Sequence, residues 1–156
     1  MLTVVPDEPM TNAAVEWMRR MYEHAELLTE PPTRAPVTED FLYTDRRTGG
    51  GVNYGSLDAS GWRQLVTETW RVGSGRPSLA VVEVVATRGQ WSAAVVESTD
   101  LGDDMAMEYI TCFQLDSTTR LMRRSFNFNV DDREAAVAEL DRMHAELAHN
   151  GQPDAS

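Results

Sequence analysis

The chain has 156 residues and a formal net charge of -11, from 25 acidic side chains against 14 basic ones. That length suits one domain with a sizeable core. The acidity argues against a surface that tracks nucleic-acid phosphates or docks on anionic membranes.

Every basic residue is arginine, which reads as the codon bias of a GC-rich genome. Cys112 is the single cysteine, so no intramolecular disulfide is possible and the cytoplasm is the expected compartment. No apolar run has the length of a signal peptide or a membrane span.

Residues 1–10 read as a loose arm, 11–148 as a single domain and 149–156 as a frayed tail. Thr11 or Asn12 is placed to cap a first helix whose apolar positions Ala14, Trp17, Met18, Met21, Ala25 and Leu28 follow helical spacing. Pro31 and Pro32 end it. Val37 to Leu42 reads as one helical turn, and Tyr43 to Arg47 as a short strand closed by Gly49-Gly50-Gly51. Asp58 or Ser60 caps a second helix with Trp62, Leu65, Val66 and Thr69 facing inward. Gly73 to Pro77 then delivers the chain into four apolar runs, SLAVVEVVAT, WSAAVVEST, MAMEYITCFQL and RLMRRSFNF. Their linkers are short and rich in turn residues, which favours an antiparallel meander. A last amphipathic helix runs through Ala136, Val137, Leu140, Met143 and Leu147. This order of elements makes an α+β fold, helices on a bent sheet, with a concave face that they only partly fill.

Three stretches are more specific: Tyr43-Thr44-Asp45-Arg46-Arg47 before a glycine turn, Ala86-Thr87-Arg88-Gly89 opening a hairpin, and Phe126 to Asp132 leading into the last helix. In this order, over Thr11 to Leu147, the chain resembles the nuclear transport factor 2-like superfamily, which includes ketosteroid isomerase, limonene epoxide hydrolase and polyketide cyclases. The likeness is to a branch common in actinobacteria. It implies a curved antiparallel sheet wrapped around helices as a cone-shaped α+β barrel. Asp45 then matches the general base of ketosteroid isomerase, while the oxyanion-binding acid of that enzyme falls near Thr111, and Tyr22 lies close to its first-helix tyrosine. The positions used by limonene epoxide hydrolase fall on Ser92, Ala94 and Ser125, so that chemistry is not implied. The alignment turns Met107, Tyr109, Thr111, Phe113, Arg123, Ser125 and Asn127 toward the concave side. Ile110, Cys112, Met122, Phe126 and Phe128 then point outward, and a face so apolar implies a homodimer through the convex side of the sheet.

Each candidate has a plainer role beside its chemical one. Asp45 is either a partly desolvated base or the partner of Arg46, Arg47 or Arg123. Arg123 either holds a carbonyl oxygen or reaches water from a sheet edge. Tyr22 and Tyr109 either donate to a developing oxyanion or fill the core. Trp17, Met18 and Trp62 line a ligand cavity or simply pack, as do Met107, Thr111, Phe113, Ser125 and Asn127. His24, His144 and His149 show no metal-ligand spacing, and no metal or cofactor is expected.

The expectation is a small cofactor-free enzyme that moves protons on an apolar, carbonyl-bearing molecule, giving isomerisation, cyclisation or dehydration. The alternative is a non-catalytic binding or dimerisation domain of the same fold.

Overall fold

The computed structural model describes residues 10–26, 37–48, 55–72, 78–100 and 106–149. The proline break after the first helix, the glycine run 49–51, the Gly73 to Pro77 connection, and most of the expected arm and tail lie outside the described residues.

Helix α1 (Ala13–Glu26) begins at Asn12, whose side-chain oxygen accepts the Val15 amide at 3.0 Å. That satisfies an amide the first helical turn leaves free. The same side chain donates to the carbonyls of Gly89 (3.1 Å) and Ser92 (2.9 Å), so the cap also fastens α1 to a distant hairpin. Strand β1 (Val37–Asp45) runs through the residues expected to form a helical turn. Within the strand the Thr38 hydroxyl donates to the Asp40 carboxylate at 2.7 Å. Alternation of Phe41 and Tyr43 inward with Leu42 and Thr44 outward suits sheet pairing instead, and an irregularity in register absorbs residues 38–41.

Strand β2 (Ser56–Asp58) pairs antiparallel with β1 and leads directly into α2 (Ala59–Val72). Asp58 caps α2, accepting the Gly61 amide at 2.8 Å. Then come β3 (Ser78–Arg88), β4 (Ser92–Asp100), β5 (Ala106–Leu115), β6 (Met122–Phe128) and α3 (Arg133–His149). Gly89 closes the β3–β4 turn at a φ of 55°, a left-handed conformation glycine adopts without penalty. The strands form one sheet in the order β2-β1-β6-β5-β4-β3. Strands β3 to β6 are the expected antiparallel meander, but β1 joins β6 in parallel, so the sheet is mixed.

The sheet is covered on both faces. On its inner side Phe41, Tyr43, Ala93, Val95, Phe113 and Leu115 pack with Ala14, Val15 and Met18 of α1 and with Trp62 of α2. The Trp62 ring lies 5.7 Å from Phe41 and 4.8 Å from Tyr43, within the range of favourable aromatic pairs. On the outer side Ala86, Ala94, Val96, Ile110, Cys112, Phe126 and Phe128 meet Ala136, Leu140 and Met143 of α3.

That second layer corrects an expectation. The apolar outward set is buried by the chain's own last helix, which removes the ground for a homodimer through the convex face. Met122 is corrected too: a bulge near the start of β6, opposite Gln114 and Leu115, shifts its register and turns it into the inner cluster. Among the described residues no helix is long and apolar enough to cross a membrane.

Candidate active site

On the inner face, pairing brings polar side chains into a row that crosses four strands. Glu97 of β4 stands opposite Tyr109 of β5, Thr111 of β5 opposite Asn127 of β6, and Asn127 opposite Asp45 of β1. The first helix adds Tyr22, packed against the inner cluster.

These groups form one hydrogen-bonded set. The hydroxyl of Tyr22 donates to one oxygen of Glu97, and that of Thr111 reaches the other at 2.8 Å. The Thr111 oxygen also lies 3.0 Å from the side-chain oxygen of Asn127, whose amide donates to the Tyr43 hydroxyl at 2.9 Å. Thr111 has one proton, so it donates to Glu97 or to Asn127 but not to both. The Tyr109 hydroxyl lies 2.9 Å from that of Thr99 and also bonds to Glu97. At the other end Asp45 accepts three bonds from Arg47: from the backbone amide at 3.0 Å, from Nε at 2.9 Å and from Nη2 at 2.7 Å. The Arg47 guanidinium sits over the Tyr109 ring, 5.1 Å from its centre, and so links the two ends of the row.

The electrostatics separate the two carboxylates. Glu97 is 3% exposed. Burial raises its affinity for a proton above that of an ordinary glutamate, and the hydroxyls that favour the charged form do not cancel this. Burial, with the charge of Glu97 beside them, also pushes the Tyr22 and Tyr109 phenols well above their ordinary range. Asp45 is buried too, but it faces a full positive charge, and the bonds it accepts hold the Arg47 guanidinium more firmly protonated than usual. A carboxylate in a bidentate arginine pair is stabilised in its charged form, which works against its taking a proton.

Of the residues singled out from sequence, Tyr22, Asp45, Tyr109, Thr111 and Asn127 meet in this set. Arg123 does not join it. It precedes Asn127 by four residues, about 13 Å along a strand, and its guanidinium faces Asp40 at 3.7 Å. Met18 and Phe113 are 1% and 0% exposed, so both are core. Ser125 is buried in register between Tyr43 and Phe113. Trp17 and Trp62 are partly buried against the inner cluster, and Met107, at 42% exposure, marks the rim where β5 begins. Among the described residues no cluster of histidine, cysteine and carboxylate side chains is placed to hold a metal. Shallow grooves elsewhere run along α3, one lined by Arg133 to Asp141 and one by Arg46, Phe128 and the ion pair of Glu139 with Arg142.

Glu97 went unremarked in the sequence. Its signal was positional: Ala93, Val95, Glu97 and Thr99 share one face of β4, and a glutamate on a core face of an inner strand needs partners.

No family model and no curated protein sequence matches the chain. Solved structures do. A protein of unknown function with a cystatin-like fold from Methylobium petroleophilum PM1 is similar at a TM-score of 0.57 and 13% identity, over 78% of this chain and 80% of the other. The BvnE pinacolase of Penicillium brevicompactum is similar at a TM-score of 0.50 and 15% identity, over 85% and 94%. PrhC from Penicillium brasilianum has a TM-score of 0.49 and 12% identity, over 90% and 93%. At such identities the likeness is one of fold. The chain therefore has the cone-shaped α+β architecture of cystatin-like and nuclear transport factor 2-like proteins, and its structural neighbours include a pinacolase as well as a protein of unknown function.

Proposed function

We propose that the chain is a small enzyme that moves a proton on an apolar, carbonyl-bearing molecule, with isomerisation, cyclisation or dehydration as the reaction types within reach. Glu97 is the proton-transferring group. The observation that carries this reading is a carboxylate buried on the inner face, held by hydroxyls and raised in proton affinity, which is the state a general base or acid needs near neutral pH. Tyr22 and Tyr109 place hydroxyls on it, and on proton abstraction either of them is positioned to donate to the enolate oxygen that forms. Asp45, in this reading, anchors Arg47 rather than acting as the base.

A second reading has its own support. The polar atoms of Glu97 are already met by Tyr22, Thr111 and Tyr109, as they would be in a cone that only binds or only holds its shape.

Solvent deuterium exchange separates the two. Apolar cyclic ketones incubated with the protein in heavy water should gain deuterium beside the carbonyl faster than buffer allows, as read by mass spectrometry. Glu97→Gln should reduce that rate by about 10²–10⁴-fold, the usual contribution of a positioned base. An exchange rate equal to buffer would leave the binding reading, and a faster rate unchanged in Glu97→Gln would remove Glu97 as the proton-transferring group.

A further inference from the structure

Among the described residues the interior set brings together two carboxylates, Asp45 and Glu97, and one guanidinium, that of Arg47. Asp45 and Arg47 cancel through bonds of 2.7 to 3.0 Å. The partners of Glu97 among the described residues are all hydroxyls, from Tyr22, Thr111 and Tyr109. A hydroxyl donates a hydrogen bond but brings no charge, so ionised Glu97 leaves the set one negative charge in excess. The chain's net charge of -11 adds to the same potential. Burial of that charge without a counter-ion is costly, and a bound cation would relieve it. Tyr22 and Tyr109 are half-buried, and Met107 beyond them is exposed.

We infer that the ligand of this interior is an apolar molecule that carries a protonated amine, with Glu97 as its counter-ion. The inference rests on the reading of Glu97 as the reactive group, and narrows its carbonyl substrate to one bearing a basic nitrogen. Carboxylates and phosphates of the same shape are excluded by charge.

Three isosteric probes test it by calorimetric titration of the full chain: cyclohexylmethylamine, cyclohexylmethanol and cyclohexanecarboxylate. At about pH 8 the amine is protonated, because alkylammonium groups titrate near 10.4. The amine should bind about tenfold or more tighter than the alcohol, with the carboxylate weakest. In Glu97→Gln the amine should fall to the level of the alcohol. A carboxylate that binds as tightly as the amine overturns the inference from the wild-type protein alone. So does an amine preference that survives Glu97→Gln, or no measurable binding of the amine. Failure here with deuterium exchange still dependent on Glu97 leaves the proton-transfer reading intact. The reverse result, charge ranking without exchange, removes catalysis and keeps the cation site.

Discussion

Asp45→Asn distinguishes an anchored carboxylate from a catalytic one. The substitution keeps the size of the side chain and removes its charge. Arg47 would then lose the charge of Asp45 while its own side chain stays 16% exposed. One of the two oxygens becomes an amide nitrogen, so of the bonds from Nε at 2.9 Å and Nη2 at 2.7 Å, one is replaced by a clash of donors. Removing one partner of a buried pair costs about 3–5 kcal/mol. Arg47 keeps some access to water, so the lower end, about 3 kcal/mol, is expected here. For a chain of 156 residues that lowers the melting temperature by about 6–12 °C, followed by circular dichroism. The double variant Asp45→Asn with Arg47→Met should recover part of the loss, because no guanidinium is then left facing the amide. An unchanged melting temperature in Asp45→Asn, together with loss of deuterium exchange, would refute the anchoring role and restore Asp45 as the base.

Other outcomes follow from the same geometry. Phe126→Glu should yield poorly folded protein rather than a clean change of oligomeric state, since Phe126 is 6% exposed under α3 and the loss of a buried phenylalanine alone costs about 3–5 kcal/mol; a well-folded variant with a larger elution volume and a smaller mass on light scattering would contradict this. Stability should also depend on pH through Glu97. Its folded state binds the proton more tightly than the unfolded chain, so its contribution is greatest below the unfolded value of about 4.3 and declines as pH rises toward the raised folded value. The melting temperature of the wild type relative to Glu97→Gln should therefore fall over that window; a constant difference would count against a buried, protonatable Glu97.

Much of the fold was legible because it depends on local signals. The meander and last helix follow from short turn-bounded apolar runs and one helical stripe, and Asn12 and Asp58 were visible as caps. What escaped was non-local. Val37 to Leu42 is too short for its own pattern to separate one helical turn from a strand, and parallel pairing with β6, some 80 residues on, makes it a strand. The outward apolar set was correctly seen as covered, but sequence cannot say whether a second copy or α3 covers it. In the site, Tyr22, Tyr109, Thr111 and Asn127 were found through strand parity and resemblance, and Asp45 with them. Its neighbour Arg47 was one of three possible partners, and choosing among them needs the geometry of the turn after β1. Glu97 was hidden by being one ordinary residue in a strand, with its meaning set by Tyr22, 75 positions away.

The most direct test is the titration of Glu97 itself. Carbon-13 labelling of the glutamate side chains lets each carboxyl be followed by NMR against pH, and Glu97→Gln assigns the resonance by its disappearance. The account predicts one glutamate that titrates clearly above the ordinary value of about 4.3, lost in Glu97→Gln and displaced further when Tyr22 is replaced by phenylalanine. A Glu97 that titrates with the exposed glutamates would contradict it.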